Sequence, residues 1–190
     1  MMRIISGTAK GIRLKTLEGD ATRPTAERVK EAVFSMLLGD IEGRDVLDLF
    51  SGSGQMGLEA LSRGAASATL IDKSIDAIKI IKENATKTKL GEKCDIHKDE
   101  YLSYLKKNTG KKFDLIFIDP PYASGFYQPA LRALLDGGFL KESTLIVCES
   151  GEENIFDKNE ALENAFVTVK KSRYGRTFVT ILMPKAEERE

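Results

Sequence analysis

The chain has 190 residues, of which 42% are hydrophobic and 31% charged, and its formal net charge is zero. This length and balance are typical of one globular domain, so the composition excludes a disordered chain and a coiled-coil rod. The first residues lack the apolar core of a signal peptide, and no apolar run reaches the roughly 18 residues that span a bilayer. We therefore expect a cytoplasmic protein without a membrane partner.

Basic residues are concentrated in the first part of the chain. Between Arg3 and Lys30 there are seven Lys or Arg residues and three Asp or Glu residues, a local balance of +4. Charge alone fits either a solvated face or a surface that binds nucleic-acid phosphates. A smaller basic cluster lies near the other end of the chain, at Lys170, Lys171, Arg173 and Arg176.

The first part of the chain predicts a hairpin followed by a helix. Residues 3–17 have the pattern of a short hairpin with its turn around Gly7 and Gly11. Arg23-Pro-Thr then introduces a helix whose apolar residues recur three and four positions apart, at Val29, Ala32, Val33, Met36 and Leu37. We assign residues 1–40 to an N-terminal extension, residues 41–184 to the core of the same domain, and residues 185–190 to a frayed tail.

From residue 45 onward, short apolar runs alternate with helical stretches, which is typical of a mainly parallel sheet. The predicted strands are residues 45–50, 68–72, 94–98, 113–119, 144–149, 165–171 and 177–183. Predicted helices connect the first five strands, at residues 57–63, 75–87, 101–107 and 127–136. Only residues 172–176 separate the last two strands, too few for a crossover helix, so these strands should pair antiparallel. The sequence predicts an α/β fold of five parallel strands plus an antiparallel terminal pair.

A glycine-rich turn follows the first predicted strand. Within residues 46–57, Gly52, Gly54 and Gly57 have the spacing of a dinucleotide-binding fingerprint. Asp48, just ahead of the glycines, would repel a pyrophosphate. S-adenosylmethionine instead carries an ammonium and a sulfonium group, which a carboxylate attracts. The pattern therefore favours S-adenosylmethionine, and a nicotinamide dinucleotide is the alternative.

Two further acidic residues follow predicted strands of the same sheet. Asp72 ends the second strand, where a carboxylate can accept hydrogen bonds from both ribose hydroxyls. Asp99 follows the third strand and can accept a hydrogen bond from an adenine amino group. The alternative is structural, since either residue can cap the helix that comes after it.

The most informative segment is Asp119-Pro120-Pro121-Tyr122, at the carboxyl end of the fourth predicted strand, where open α/β sheets bind ligands. An exocyclic amine on a planar ring is a poor nucleophile because its lone pair is delocalised into the ring. Hydrogen bonds from the amine to the Asp119 carboxylate and the Pro120 carbonyl localise that lone pair, and Tyr122 can stack on the ring. The two prolines stiffen the loop. A simple proline turn after a strand is the structural alternative.

These motifs resemble those of a known family. Asp-Pro-Pro-Tyr is similar to the signature of N-methyltransferases that act on planar exocyclic amines. With the segments at residues 3–7, 23–31, 48–54 and 57–64, it resembles the bacterial family that methylates guanine N2 in small-subunit ribosomal RNA. The resemblance covers nearly the whole chain, and the Arg-Pro-Thr segment separates this family from other Asp-Pro-Pro-Tyr enzymes. The chain departs from the family pattern at Gln55-Met56, where smaller residues are usual, and at Asp72, where Glu is common.

The resemblance implies a Rossmann-like, seven-stranded class I methyltransferase sheet with an N-terminal hairpin-helix extension, and S-adenosylmethionine as the cofactor. It places the cofactor site at Asp48, Phe50, Gly52, Gly54, Asp72 and Asp99. It also implies that the catalytic residues Asp119, Pro120, Pro121 and Tyr122 hold the target base. From the two basic clusters, Arg3, Arg13, Arg23, Arg28, Arg173 and Arg176 are the candidates for contact with RNA. No metal is expected, because Cys94 and Cys148 lie in strand-like apolar runs, as buried free thiols do.

The implied substrate is an unpaired or flipped guanine in ribosomal RNA, either free or within a small-subunit assembly, and the enzyme is expected to be a monomer. Adenine N6 of DNA or RNA fits the same hydrogen bonds, so the choice between the two amines depends on the resemblance. Methylation of protein glutamine normally goes with Asn in place of Asp119. A module that binds the cofactor without turnover is disfavoured, because the acids at positions 48, 72, 99 and 119 are all present.

Overall fold

The computed structural model describes residues 2–17, 24–121 and 125–186, with no side-chain description for residues 24–26. Within these residues the strands are β1 (Asp45–Asp48), β2 (Ser67–Asp72), β3 (Cys94–Lys98), β4 (Phe113–Ile118), β5 (Leu140–Ser150), β6 (Phe166–Tyr174) and β7 (Thr177–Pro184). The helices are α1 (Pro24–Met36), α2 (Gln55–Ser62), α3 (Ile75–Thr88), α4 (Tyr101–Lys107), α5 (Tyr127–Asp136) and α6 (Glu160–Asn164). None of the described helices is long and apolar enough to cross a lipid bilayer.

The strands form one seven-stranded sheet in the order β3-β2-β1-β4-β5-β7-β6. Strands β1 to β5 all run parallel to one another, whereas β7 lies antiparallel between β5 and β6. This confirms the predicted α/β sheet with an antiparallel terminal pair. The chain winds outward in both directions from β1, so the strand order reverses between β1 and β4. Ligands of open α/β sheets bind beside such a reversal, at the carboxyl ends of the strands.

The helices cover both faces of the sheet. Buried residues of α1, α2 and α3 pack on one face, together with apolar residues of the N-terminal extension such as Ile4 and Leu14. Buried residues of α4, α5 and α6 pack on the other. Burial on both faces explains why the central strands are nearly continuous apolar runs rather than alternating ones. Helix α6, which the sequence analysis did not predict, is a single short helix capped by the Asn159 side chain.

Two strand boundaries differ from the predicted ones in ways that matter. Strand β5 begins at Leu140, ahead of the predicted start at residue 144. The sequence of residues 140–143 resembles a polar loop, but Leu140 pairs with Phe113 at the start of β4, across a register shift. Strand β6 continues to Tyr174, so Arg173 lies in the strand and the turn to β7 consists of Gly175 and Arg176. Gly175 has a φ of +62°, a left-handed conformation that favours glycine.

The predicted N-terminal hairpin is only partly right. Antiparallel pairing in residues 2–17 is confined to one bridge, between Arg3 and Arg13. The reason lies in the neighbouring helix: the carboxylate of Glu59 on α2 accepts the backbone N–H groups of Ile5 and Ser6 at 2.7 and 3.0 Å. Those groups are therefore held by a side chain of α2, and the extension packs on α2 as an irregular loop.

A buried charge cluster holds this arrangement together. The Glu59 side chain has no exposed surface, and it lies 2.8 Å from the Arg63 guanidinium and 3.6 Å from the Lys30 ammonium. The Lys30 ammonium also donates to the Arg3 carbonyl at 2.5 Å. Burial lowers the pKa of Lys30, while the charge of Glu59 acts in the opposite direction. Removing one partner of such a buried pair costs about 3–5 kcal/mol of stability. The cluster therefore fixes both α1 and the residues ahead of it, 2–17, on α2.

A second buried polar side chain joins the extension to the glycine-rich loop. The Asn84 amide on α3 donates to the carbonyls of Lys15 and Ser53, both at 2.9 Å. Its oxygen accepts the Lys15 N–H at 2.8 Å. The end of the extension is thus fixed against the loop that follows β1.

The close approach of the extension to α2 can be tested at Gly7. A Cβ atom there would lie 1.7 Å from the Ser62 carbonyl oxygen, whereas one at Gly11 would meet no atom within 4 Å, and both glycines have a φ above +80°. Gly11→Ala should cost about 1 kcal/mol of conformational strain. Gly7→Ala should cost at least about 2 kcal/mol more, because the backbone of α2 must also move. Urea unfolding of the two variants measures this difference, and equal costs would contradict the close packing.

Candidate active site

The glycine-rich loop after β1 is fastened to the end of β2 by hydrogen bonds. Ser51 N–H donates to the Ile71 carbonyl, and Gly52 N–H donates to Asp72 Oδ2, both at 2.9 Å. The other oxygen of Asp72 accepts Ser74 N–H at 2.8 Å. Asp72 therefore braces the loop, while the side-chain cap of α3 is Ser74 rather than Asp72. Each carboxylate oxygen keeps a lone pair for a further donor, such as a hydroxyl.

Glycine is required at the three positions of the loop for different physical reasons. Gly52 and Gly54 have φ values of +53° and +78°, which glycine adopts without strain. A Cβ at Gly52 would meet no atom within 4 Å, so the backbone there faces open space. Gly57 has an ordinary φ, but a Cβ on it would lie 2.3 Å from the Leu70 side chain of β2. The fingerprint is thus built by two turn glycines and one that lets α2 pack closely on the sheet.

Asp48 ends β1 directly beside this loop and is 2% exposed. Its Oδ1 accepts Phe50 N–H at 3.4 Å. Burial raises the pKa of Asp48 to about 7, and the nearby charge of Asp72 acts in the same direction. A cationic ligand group at this point would favour the ionised form of Asp48, since an opposite charge lowers a carboxyl pKa.

The structure brings Asp99 next to Asp72. Asp99 N–H donates to the Asp72 carbonyl at 3.1 Å, so the ends of β2 and β3 are joined. Its carboxylate accepts Glu100 N–H at 2.9 Å and the Lys107 ammonium at 2.7 Å, and the bond from Lys107 lowers its pKa. The cap of α4 is Glu100, so the structural alternative of Asp99 as a helix cap is wrong.

An aromatic cluster of Phe50, Tyr101 and Phe126 lies at the same end of the sheet. The ring centroid of Phe50 is 4.9 Å from that of Tyr101 and 5.6 Å from that of Phe126. Phe50 and Phe126 are partly exposed, whereas Tyr101 is buried. Of the three, only Phe50 was predicted from the sequence, because Tyr101 and Phe126 look like ordinary core residues of α4 and the start of α5. Their only sequence signal is their position, just after Asp99 and just after the Asp-Pro-Pro-Tyr segment.

The loop after β4 lies on the other side of the strand-order reversal from Asp48, Asp72 and Asp99. Leu49 N–H donates to the Phe117 carbonyl at 3.2 Å, which joins the ends of β1 and β4. One residue beyond β4, Asp119 is partly exposed, followed by a buried Pro120 and an exposed Pro121. Tyr122 lies outside the described residues. The structure thus gathers Asp48, Asp72, Asp99 and Asp119 at one edge of the sheet.

The predicted RNA-contacting arginines fall into two groups. Arg3 and Arg13 are exposed and face each other in the extension, and Arg28 is exposed on α1. Arg3 is also paired with Glu27 of α1 at 2.7 Å. Arg23 lies outside the described residues.

The second group, Arg173 and Arg176, is exposed at the end of β6 and in the turn after it. The Arg173 guanidinium lies over the Phe178 ring and donates to the Gly175 carbonyl. Because β6 runs in the same direction as β5, this turn lies at the carboxyl edge of the sheet, the edge that carries the acidic residues.

Comparison with known proteins finds relatives that span most of the chain. The model of the family described as Conserved hypothetical protein 95 matches residues 2–183. The Bacillus subtilis (strain 168) protein YlbH is 36% identical over 184 residues, which cover 95% of this chain and 97% of that protein. Ribosomal RNA small subunit methyltransferase D of Escherichia coli (strain K12) is 36% identical over 153 residues, 80% of this chain and 76% of that protein.

A solved structure of the Escherichia coli protein yhhF has the same fold. It superposes with a TM-score of 0.83 at 29% sequence identity, covering 98% of this chain and 99% of that one. The family model, the sequence relatives and the superposition each span most of the chain. The chain therefore belongs to the family described as Conserved hypothetical protein 95, which it shares with the bacterial ribosomal RNA small subunit methyltransferase D proteins.

Proposed function

We propose that the protein is an S-adenosylmethionine-dependent methyltransferase that methylates the exocyclic N2 amine of a guanine in small-subunit ribosomal RNA. The observation that carries the proposal is the position of Asp119 and Pro120, directly across the strand-order reversal from Asp48 and the glycine-rich loop. The names of the methyltransferase D relatives support ribosomal RNA as the substrate class. The family resemblance supports guanine N2 as the target atom.

Residues on the β1–β3 side of the reversal would hold the cofactor. Asp72 would accept hydrogen bonds from the ribose hydroxyls through the lone pairs that its bonds to Gly52 and Ser74 leave free. Asp48 attracts the cationic methionine part of the cofactor, which carries no phosphate to be repelled. Asp99 and the ring of Phe50 lie where the adenine is expected, since they follow β3 and β1 at the same edge.

The target amine lies on the β4 side. Its two N–H groups donate to the Asp119 carboxylate and the Pro120 carbonyl, which localises the nitrogen lone pair toward the methyl group. S-adenosylmethionine would supply the methyl group, and the Asp119 carboxylate would stabilise the positive charge that develops on the attacking nitrogen. The nitrogen then passes one proton to that carboxylate, already its hydrogen-bond acceptor. Tyr122 stacks on the ring and holds it in line for displacement.

The extension and the β6–β7 turn supply positive charge for the RNA backbone. The Glu59 cluster holds the extension rigidly on α2, so the exposed Arg13 and Arg28 side chains are carried by a fixed surface. Phosphate contacts position the RNA without reading its sequence. An unpaired or flipped guanine then enters the cleft, which a base inside a helix cannot reach.

The role of Asp72 can be tested by ligand-induced stabilisation. A ligand that binds only the folded protein at a hundredfold excess over its Kd adds about 2.7 kcal/mol of stability. S-adenosylmethionine and S-adenosylhomocysteine should both raise the melting temperature of the wild type, and Asp72→Ala should abolish most of that rise. Asp76→Ala is the matched control, because Asp76 is exposed on α3 and paired only with Lys79 among the described residues. Equal ligand-induced shifts in Asp72→Ala and the wild type would remove Asp72 from the ribose site.

The role of Asp119 can be tested by separating turnover from cofactor binding. Asp119→Ala should lose nearly all methyl transfer to ribosomal RNA through kcat, because its hydrogen bonds strengthen in the transition state. Its affinity for S-adenosylhomocysteine should stay close to that of the wild type. Glu142→Ala is the control, since Glu142 is exposed on β5 toward the opposite edge of the sheet. More than about a tenth of the wild-type rate, an effect of only ~1.4 kcal/mol, would contradict the proposed role.

The RNA-binding surface predicts a change in salt dependence. Arg13→Ala and Arg28→Ala should each weaken RNA binding and flatten the plot of log Kd against log salt by about one unit for each phosphate that the variant no longer neutralises. Arg132→Ala is the control, because Arg132 is exposed on α5, on the opposite face of the sheet from the extension. Filter binding at several salt concentrations gives the slopes. A double Arg13→Ala, Arg28→Ala variant with the wild-type slope and methylation efficiency would show that the extension is structural only.

A further inference from the structure

Glu149, at the carboxyl end of β5, lies beside the proposed catalytic loop. Strands β4 and β5 pair in parallel with Ile118 opposite Cys148, so the next residues along, Asp119 and Glu149, are neighbours at the same edge. Side chains alternate between faces along a strand. Because Val147 packs in the core on the α1–α3 face, Glu149, two residues further along β5, projects toward that face. Glu149 was not among the residues predicted from the sequence.

The surroundings of Glu149 also place the two carboxyl groups near each other. The Tyr127 hydroxyl donates to the Glu149 carbonyl. Burial raises the pKa of Tyr127 above its usual range, and the charges of Asp119 and Glu149 contribute in the same direction. Burial also raises the pKa of Glu149, to about 7. Among the described residues, none forms a hydrogen bond or an ion pair with the Glu149 carboxylate, whereas Asp119 does have a partner of its own.

Guanine and adenine differ in the hydrogen-bonding groups that flank the exocyclic amine. In guanine, the N2 amine and the N1–H group are adjacent donors on one edge of the ring. In adenine, the N6 amine is flanked by the acceptors N1 and N7. A second acceptor beside Asp119 is therefore complementary to guanine and repels adenine.

We propose that Glu149 determines the choice of guanine over adenine by accepting a hydrogen bond from N1–H while Asp119 accepts one from the N2 amine. Neighbouring strands lie about 4.8 Å apart, so carboxylates on adjacent strands can engage adjacent donors of one ring. Against adenine, the ionised form of Glu149 faces a lone pair and is left without a donor, which a buried polar group tolerates poorly. The inference rests on the proposed function, because it presupposes that the amine of a base is the target.

The test replaces the target guanine with 2-aminopurine, which keeps the 2-amino group but has an acceptor at N1. A synthetic RNA spanning the methylated guanine is prepared with either base, and kcat/KM for methyl transfer is measured on both. The wild type should prefer guanine by about tenfold or more, as expected for one charged hydrogen bond. Glu149→Gln should reduce this preference by about tenfold, because an amide can donate to N1 of 2-aminopurine as well as accept from N1–H of guanine.

Glu152→Gln is the matched control, since Glu152 is exposed three residues beyond Glu149 and should keep the wild-type preference. The Kd for S-adenosylhomocysteine of each variant reports whether its cofactor site is intact. Equal kcat/KM of the wild type on the two bases would overturn the inference whether or not the variants fold. A Glu149→Gln enzyme with the wild-type preference would also overturn it, while leaving guanine methylation in place. If the wild type forms no N2-methylguanine, the proposed function fails and the inference fails with it.

Discussion

The reversal of strand order at β1 is the constraint on which the site depends. Because β2 and β4 pair with β1 on opposite sides, the loops that follow β1 and β4 diverge to opposite faces and leave a cleft between them. Hydrogen bonds from the loop after β1 to the ends of β2 and β4 keep that cleft in shape. Residues far apart in sequence, from Asp48 to Asp119, thereby meet at one edge.

The N-terminal extension is part of the same body because of two buried side chains. Glu59 receives backbone and side-chain donors from the extension, α1 and α2, and Asn84 joins Lys15 to Ser53 in the glycine-rich loop. Any displacement of the extension therefore strains the loop that borders the proposed cofactor site. The proposed RNA-binding surface and the proposed cofactor cleft are in this way joined through direct hydrogen bonds.

The sequence was sufficient for the elements whose signals are local. Apolar runs, crossover lengths and the Gly52–Gly57 spacing predicted the sheet and the loop, since each reports on burial or turn geometry within a few residues. The hairpin prediction was incomplete because its backbone donors bind Glu59, more than fifty residues away in sequence. Glu149, Tyr101 and Phe126 were missed for a similar reason. Their significance comes from strand register and ring contacts, which no local pattern contains.

The identity of the methylated nucleoside tests the central claim most directly. Small-subunit ribosomal RNA from a strain lacking the gene is incubated with the protein and isotopically labelled S-adenosylmethionine, then digested to nucleosides for chromatography and mass spectrometry. The geometry at Asp119 and Pro120, together with the family, predicts label in N2-methylguanosine. Label in N6-methyladenosine would contradict the proposed substrate, and RNA that takes up no label under conditions where the protein binds the cofactor would contradict the proposed activity itself.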